Sequence, residues 1–291
     1  MIVVFGSINL DLIFPLASLP TAGQTVLTPT ARIEPGGKGA NQAVAAARDG
    51  SSVVFAGAVG ADPLAGLALA GLEAAGIDLS RVERTEAYTG CAAIAVDRAG
   101  RNHVMVAAGA NLLARADQLE DALLGPGTTL VLQMETEPQQ TAALILRARA
   151  RGARIVLNLA PAAALAPGAL RVIDLLVANQ EEGAWLGTRL GTGVNAASLQ
   201  QALGVGVVLT LGSEGAEAAT DGGRVRIEAE RVDVLDTTAA GDCFTGVLAA
   251  SLDRGLTVEA GIRRANRAAA LCCTRPGTQG SLPTGAETDA F

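Results

Sequence analysis

The chain has 291 residues, of which 49% are hydrophobic and 18% charged, which suits one large α/β domain or two smaller ones around a sizeable core. A formal net charge of −7 argues against a nucleic-acid partner, since nucleic-acid-binding proteins normally carry a basic face. The single histidine, His103, excludes a histidine-rich zinc site and a Ser-His-Asp hydrolase built around any other histidine.

The N-terminus, the most apolar stretch and the cysteines indicate where in the cell the protein is expected. Met1–Gly6 has no basic leader and no small-residue cleavage site, so we expect no secretory signal. The most apolar stretch, Val53–Leu72, contains Asp62-Pro63 and several glycines, and we interpret it as a strand, a turn and a helix and not as a membrane span. Four cysteines without a C-x-x-C pair or metal-ligand spacing are expected to be reduced structural thiols. These features predict a cytoplasmic protein with no membrane partner.

Short apolar runs alternate with Ala- and Leu-rich stretches along most of the chain. Runs that are apolar almost throughout are typical of strands buried on both faces of a parallel sheet, and they are Ile2–Phe5, Val53–Ala56, Leu130–Gln133, Arg154–Asn158, Leu175–Ala178 and Val207–Leu211. Helical patterns lie between or after them at 41–49, 63–75, 138–151, 181–186, 196–203, 241–253 and 258–274. The alternation predicts an α/β fold with an open, mostly parallel sheet flanked by helices on both faces.

Two segments, at about 12–34 and 89–107, interrupt this alternation. Leu12–Ile33 has several turn residues and no clear helix, while Cys91–Val96 and His103–Val106 are expected to pair as a hairpin around Asp97–Gly100. We therefore predict one α/β domain over residues 1–291, with a small separate β-sheet that acts as a lid or as a dimer surface. His103 falls in one of its strands, where we do not expect a catalytic role.

The first polar motif, Gly6-Ser-Ile-Asn-Leu-Asp11, follows the first predicted strand. Asn9 and Asp11 are two residues apart, so on an extended chain their side chains point to the same side. Two acceptors on one side suit a polyol, whose hydroxyl groups donate hydrogen bonds. Taken alone, an ordinary polar turn explains this segment at least as well.

The second motif, Pro35-Gly-Gly-Lys-Gly-Ala-Asn-Gln42, runs into a predicted helix. Its three glycines indicate close approach of the backbone to a ligand, with Lys38 and Asn41 as polar groups. It is not a Walker A loop, and the sequence contains no G-x-G-x-x-G fingerprint, which disfavours a dinucleotide-dependent oxidoreductase.

The third motif, Asp236-Thr-Thr-Ala-Ala-Gly-Asp242, comes directly before a helical stretch. The first amides of a helix lack internal partners, so they form an anion site that can stabilise a transferring phosphoryl group. Asp242 at this end could accept the proton of an attacking hydroxyl. It could equally be a simple helix N-cap, where Asp is favoured, and the spacing does not decide between the two.

Together, GSINLD, GGKGANQAVAAA and DTTAAGDCFTG resemble, in this order, the motifs of the phosphofructokinase-B family of sugar kinases, and within it the ribokinases. The resemblance runs from Val3 to about Pro283. It implies an ATP-dependent carbohydrate kinase with the ribokinase-like fold, a small β-sheet lid, a homodimer through that lid, and ribose as the expected sugar, phosphorylated on its 5-hydroxyl.

The resemblance also implies roles for individual residues. The catalytic group comprises the base Asp242 and an anion hole of Ala239, Ala240 and Gly241. The sugar-binding group is Asn9, Asp11, Gly37, Lys38, Asn41 and Glu135, with Asp242. The nucleotide group, which includes the N-x-x-E motif associated with magnesium and phosphate placement, is Asn179, Glu182, Thr210, Gly212, Gly215, Gly241 and Asn266. A plain helix start, where acidic residues are also favoured, would equally explain Asn179 to Glu182.

Two metal ions are implied by the same resemblance. A monovalent cation, usually potassium, would lie beside the anion hole, held mostly by backbone carbonyls of Asp236, Thr238, Cys272, Arg275, Gly277 and Ser281, with Asp236 as a charged ligand. Magnesium would be held mainly by phosphates and water, as that ion prefers.

Alternatives remain open at this point. The substrate could be another pentose, deoxyribose or a nucleoside, although the few aromatic residues offer no obvious wall for a base. Cys243 and Thr238 depart from residues common in ribokinases, and both could tune substrate choice or cation dependence. A non-catalytic sugar- or nucleotide-binding regulator is disfavoured because Asp242, the anion turn Ala239–Gly241 and the N-x-x-E motif are all present.

Overall fold

The computed structural model describes residues 1–97 and 102–291. In chain order its strands are β1 (Ile2–Phe5), β2 (Asn9–Pro15), β3 (Arg32–Gly36), β4 (Val53–Gly60), β5 (Asp78–Thr85), β6 (Gly90–Val96), β7 (Asn102–Ala107), β8 (Thr129–Leu132), β9 (Arg154–Asn158), β10 (Leu175–Asn179), β11 (Gly206–Thr210), β12 (Ala216–Thr220) and β13 (Gly223–Ile227). Its α-helices are α1 (Lys38–Arg48), α2 (Leu64–Ala74), α3 (Pro138–Arg151), α4 (Pro167–Leu170), α5 (Gln180–Leu190), α6 (Ala196–Leu203), α7 (Ala240–Asp253), α8 (Val258–Cys273) and α9 (Gly285–Ala290).

The main sheet contains nine strands in the order β13-β12-β11-β10-β9-β8-β1-β4-β5. Every pair from β5 to β11 is parallel, and the last two pairs, β11–β12 and β12–β13, are antiparallel. The predicted open, mostly parallel sheet is confirmed. Strands β5, β12 and β13 lie at or near the two edges and were not predicted, because edge strands mix polar with apolar residues and lack a continuous apolar run.

Helices cover both faces of this sheet, as predicted. Ile2 and Val4 of β1 pack into the cluster that contains α1, α2, α7 and α8. Val3 and Phe5 point to the opposite cluster, which is formed mainly by α3, α5 and α6. All four side chains are fully buried, and each contributes about 2 kcal/mol through removal of its apolar surface from water.

The carboxyl ends of the central strands bring distant motifs to one edge of the sheet. The Ser7–Asn9 segment follows β1, Glu135 follows β8, and Asn179 ends β10. Parallel strands end at the same edge, and ligands of open α/β sheets bind there. This edge is therefore where a functional site is expected.

A second, small sheet has the order β3-β2-β6-β7. Strands β6 and β7 pair antiparallel with Cys91 opposite Ala107, so the predicted hairpin and the separate sheet are confirmed. Of the predicted Asp97–Gly100 turn, residues 98–100 lie outside the described residues. One face of this small sheet carries Asp11 and Ile13 and turns toward the main domain.

Within the described residues, no helix is both long and apolar enough to cross a bilayer. All four cysteines belong to the described part of the chain, and none of them forms a disulfide.

Candidate active site

The Asp242 carboxylate lies in the first turn of α7 and is held by two neighbouring side chains of α1. Asn41 Nδ2 donates to Asp242 Oδ2 at 3.0 Å, and Gln42 Nε2 donates to Asp242 Oδ1 at 2.9 Å. The residue is 8% exposed. The helix N-cap is Ala239 and no side chain caps this helix, so the alternative interpretation of Asp242 as an N-cap is wrong. Its carboxylate instead faces the cleft between α1 and α7.

The turn before α7 presents backbone amides at the same place. Ala239 has φ = 61°, a left-handed conformation that is uncommon for a residue with a Cβ. Its carbonyl accepts from Cys243 N at 2.8 Å, which starts the helix. The amides at the start of a helix have no intrahelical acceptor, so Ala240 and Gly241 belong to an end of the helix that favours an anion.

Most of the predicted sugar-binding side chains have structural partners as well. Asn9 is 2% exposed, and its Oδ1 accepts from Asn111 Nδ2 at 2.8 Å. Gly37 has φ = 91°, and a Cβ there would lie 2.7 Å from Asn9 N, so only glycine allows the turn to approach β2. Asn111, which also accepts from Ile8 N, was not predicted, because it lies about 100 residues away with no motif around it.

Glu135 binds the start of α1. Its Oε2 accepts from Ser7 Oγ at 2.6 Å and from Lys38 N at 3.1 Å, while Ser7 Oγ accepts from Gly39 N at 3.2 Å. A carboxylate at a helix N-terminus is stabilised by the unpaired amides there. Glu135 thus joins the ends of β1 and β8 to the glycine-rich motif, and sequence reasoning did not identify Ser7 as part of this group.

Four acidic groups and one lysine share this part of the cleft. Burial, together with the nearby Glu135, Asp242 and Glu34 charges, raises the pKa of Asp11 to about 7, although Lys38 opposes the shift. For Lys38, burial lowers the pKa, but the attraction of Asp242 and the other carboxylates outweighs it, so the pKa is raised. The lysine therefore stays charged and is held toward the carboxylates.

A cavity of about 530 Å³ opens beside the anion turn. Five residues of the predicted nucleotide group line it: Thr210, Gly212, Gly215, Gly241 and Asn266. Ala240 of the predicted anion hole lines it as well, whereas the lining segment Ala229–Val232 was missed by sequence reasoning. Asn266 Nδ2 donates to the carbonyls of Ile227 and Glu228, so this side chain also fixes the end of β13.

Asn179 and Glu182 are not among the residues that line this cavity. They form a reciprocal capping box: Glu182 N donates to Asn179 Oδ1, and Asn179 N donates to Glu182 Oε2, both at 2.8 Å. Their structural role as a helix start is thus present. Burial raises the pKa of Glu182, although the hydrogen bond from Asn179 N and the charge of Lys38 lower it. Because Lys38 and Asp242 both affect this pKa, Glu182 interacts electrostatically with the same cleft.

The residues predicted to hold the monovalent cation lie in two segments, Asp236–Thr238 and Cys272–Ser281, which we call the cation loop, and Thr238 and Gly277 contact Asp236. Asp236 Oδ1 accepts from Thr238 N at 2.9 Å and from Thr238 Oγ1 at 2.6 Å, and its Oδ2 accepts from Gly277 N at 3.0 Å. Burial opposes ionisation of Asp236, but these bonds and Arg32 lower its pKa, so the carboxylate is charged. Cys272 Sγ lies 3.1 Å from Ser281 Oγ.

Arg275 is one of the six residues predicted to hold the monovalent cation, but its side chain points to the surface. Its side chain pairs with Glu287 at 2.7 Å on the surface, so it could offer only its backbone carbonyl to an ion. A charged carboxylate such as that of Asp236 is an oxygen ligand that a hard cation prefers, and on this chemistry the loop fits such an ion. Across residues 1–97 and 102–291, no group of three or more His, Cys, Asp or Glu side chains is placed to hold a metal.

The small sheet is tied to this loop by strand β3. Glu34 Oε2 accepts from Thr278 N at 2.8 Å and from Thr278 Oγ1 at 3.2 Å. Arg32 lies 3.2 Å from Glu34 Oε1 and 3.9 Å from Asp236 Oδ2. A cavity of about 740 Å³ separates the rest of the small sheet from the 234–238 segment. His103 lies in edge strand β7 with an exposed side chain.

The chain is similar to known carbohydrate kinases in sequence and in fold. The family model "pfkB family carbohydrate kinase" matches residues 1–285. The chain is 33% identical to the ribokinase of Haemophilus influenzae over 301 residues, covering 99% of this chain and 97% of that protein. It is also 33% identical to the deoxyribokinase of Salmonella typhi over 299 residues, covering 97% and 95%. A solved structure of the Arabidopsis thaliana ribokinase complexed with ribose and ATP superposes with a TM-score of 0.87 at 27% identity, covering 99% and 97%.

Proposed function

The chain belongs to the pfkB family of carbohydrate kinases and is an ATP-dependent sugar kinase, and from this premise we propose that it transfers the γ-phosphoryl group of ATP to the 5-hydroxyl of D-ribose. The observation that carries the proposal is the position of the Asp242 carboxylate. The carboxylate bonds to Asn41 of α1, its charge acts on Asp11 of β2, and the neighbouring Gly241 lines the 530 Å³ cavity.

The proposed reaction proceeds as an in-line displacement. The sugar 5-hydroxyl oxygen forms a bond to the γ-phosphorus as the bond from that phosphorus to the β–γ bridging oxygen breaks, and ADP leaves. Asp242 orients the hydroxyl and receives its proton late, since the transition state is loose. The amides of Ala240 and Gly241, with Ala239 shaping the turn, face the charge on the transferring group.

Sugar recognition is assigned to the other side of the carboxylate. Asn9, Asp11 and Asn41 offer polar groups to the hydroxyls, and Lys38 supplies a positive charge held by the surrounding carboxylates. Gly37 leaves room for close approach. Glu135 would contribute mainly by fixing the start of α1, since its Oε2 is already bonded to Ser7 and Lys38 N.

Two ions belong to the proposal. Magnesium would neutralise phosphate charge and would be held mainly by phosphates and water, near Asn179 and Glu182. Potassium would be held at the loop of Asp236 by carbonyls of Thr238, Cys272, Arg275, Gly277 and Ser281, next to the anion turn. The ionised Asp236 and the convergence of the loop on it support this assignment.

The small sheet is proposed to act as the lid and as the dimer surface. On the face opposite Asp11, strand pairing sets Ile33, Leu12, Ala93 and Met105 side by side. Ile33 is 58% and Met105 is 68% exposed, and an apolar row of this kind is typical of a surface that another copy covers. Sedimentation should give a dimer for the protein and a monomer after Met105→Lys. A monomeric unaltered protein would contradict this part of the proposal.

We further assign the enzyme to the cytoplasm, where ATP is available and where thiols stay reduced. The four free cysteines support this assignment.

The test is ADP release with MgATP and potassium across D-ribose, 2-deoxy-D-ribose, other pentoses, hexoses and nucleosides. We expect the highest kcat/KM with D-ribose. A preference for 2-deoxy-D-ribose is the second candidate, because the chain is 33% identical to a deoxyribokinase as well as to a ribokinase. No turnover with any of these compounds would contradict the proposal and favour a sugar- or nucleotide-binding regulator.

A further inference from the structure

Gln42 is a fully buried residue of α1 that neither the motif spacing nor the proposed sugar site assigns a role. It has 0% exposure, and its neighbour Asn41 is the residue assigned to the sugar. Successive residues of a helix point about 100° apart, so Asn41 and Gln42 approach Asp242 from two sides. Asn41 bonds Oδ2 and Gln42 bonds Oδ1.

The close packing of α1 on α7 makes this contact possible. A Cβ at Gly246 would lie 2.4 Å from the Gln42 carbonyl oxygen and 2.7 Å from Ala45 Cβ. Only glycine at this position of α7 lets the two helices approach so closely. The glycine therefore sets the distance at which Gln42 reaches Asp242.

The polarity of the Gln42 amide is fixed by a chain of hydrogen bonds that ends at the backbone. Asn158 Nδ2 donates to Val177 O at 3.3 Å, and a carbonyl can only accept. Asn158 Oδ1 therefore faces Gln42 and accepts from Gln42 Nε2 at 3.1 Å. The same Nε2 donates its second hydrogen to Asp242.

A third amide completes the network. Gln133 Nε2 donates to Gln42 Oε1 at 2.8 Å, so every polar atom of the Gln42 side chain is bonded. Rotating the Gln42 amide by 180° would place its oxygen against two acceptor oxygens and its nitrogen against a donor. The buried amide is therefore locked as a donor toward the carboxylate.

We propose that Gln42 is a positioning residue for the phosphoryl transfer: it holds Asp242 Oδ1 in one orientation, so that the remaining lone pairs face the sugar hydroxyl. This inference rests on the proposed role of Asp242 as the base. Each carboxylate oxygen has room for a second hydrogen bond, so one donor from α1 on each oxygen leaves an acceptor free. Orientation of this kind affects the chemical step more than binding.

The test compares Gln42→Met with Gln133→Met in the otherwise unchanged enzyme. Both remove a buried amide from the same network, but only the first removes a contact with Asp242. We expect Gln42→Met to lower kcat by about 10- to 100-fold with KM values for sugar and ATP within about threefold of the unaltered enzyme. Gln133→Met should lower thermal stability less, since it removes one hydrogen bond of the network and Gln42→Met removes three, and should keep kcat within about threefold.

A double variant separates positioning from general loss of packing. Because Gln42 acts through Asp242, adding Gln42→Met to Asp242→Asn should produce no further loss of kcat. A multiplicative loss, or equal kcat in the two methionine variants, would overturn the inference. If Gln42→Met does not fold, Asn158→Leu removes the partner that fixes the Gln42 amide, and an unchanged kcat there would also overturn it.

The same experiment distinguishes the two levels of the proposal. If the unaltered enzyme phosphorylates a sugar and Gln42→Met has the same kcat, the positioning role alone is contradicted. An unaltered enzyme that is silent with every sugar contradicts the proposed function, and the role of Gln42 with it.

Discussion

The two sides of the Asp242 carboxylate are built differently. On the α1 side, side chains hold one another: Asn41 and Gln42 bind the carboxylate, and Glu135 binds the start of the helix. On the cavity side, the lining near the carboxylate is backbone and small residues, such as Ala240 and Gly241. The α1 side acts through side-chain chemistry, and the cavity side acts through shape and backbone amides. Substitutions on the two sides should therefore impair activity for different reasons.

The largest effect is expected from Asp242→Asn, which removes the proton acceptor and leaves the size of the side chain unchanged. We expect kcat to fall by about 1,000-fold, while calorimetry shows sugar and ATP affinities close to those of the unaltered enzyme. The matched control is Asp253→Asn at the other end of α7, where the carboxylate binds the N-terminal amine and Thr129. Near-normal turnover in the first variant would contradict the role of Asp242.

A smaller effect is expected from Gly241→Ala, which probes the backbone-lined side. A Cβ at Gly241 meets no atom within 4 Å, so the protein should fold normally, but the new methyl enters the space beside the anion turn. We expect kcat/KM for ATP to fall by about 100-fold with little change in thermal stability.

Gly66→Ala in α2 is the control for that variant, since its Cβ would also meet nothing within 4 Å. It should keep full activity and gain up to about 1 kcal/mol of stability from better helix propensity. Equal activity of both alanine variants would show that the turn does not approach the nucleotide.

Asp11, on the side built from side chains, should make the stability of the protein depend on pH. Its pKa is raised from 3.8 to about 7, so between these values the folded protein binds more protons than the unfolded chain. The free energy of unfolding should therefore fall as pH rises from about 4 to about 7, by up to about 1.4 kcal/mol per pH unit from this residue, and level off above that. Asp11→Asn should remove this part of the pH dependence in denaturant titrations at pH 5 and 8.

An identical pH dependence in both proteins would show that Asp11 ionises normally. In that case burial and the neighbouring carboxylates around Lys38 raise the pKa of Asp11 less than we expect. The matched control is Asp62→Asn, since that aspartate lies outside the cleft: burial acts to raise its pKa, but hydrogen bonds from Thr89 and the start of α2 outweigh this and lower it.

The sequence predicts the fold well where a buried element has a continuous run of apolar residues. Strands such as Ile2–Phe5 have apolar side chains on both faces, and the run of residues alone identifies them. Strand β5 (Asp78–Thr85) mixes exposed and half-buried residues at the sheet edge, so no such run exists. The small sheet was predicted because its strands interrupt the helix–strand alternation, although its link to the cation loop through Glu34 was not.

The site is predicted only in part, for a different reason. The members of GGKGANQ and DTTAAGD are close in sequence, so local motifs indicate them. Ser7, Asn111 and Gln133 act through partners 91 to 128 residues away. No spacing rule relates such residues, since the sheet topology alone brings them together.

The central claim is that the Asp242 carboxylate lies between a sugar and the γ-phosphate of ATP, and the most direct test is ³¹P NMR of the reaction with D-ribose, MgATP and potassium. We predict a new phosphomonoester signal, with coupling to the C5 protons of ribose, that grows in step with ADP. ADP accompanied only by inorganic phosphate, or unchanged ATP with D-ribose and every other sugar of the panel, would contradict the claim.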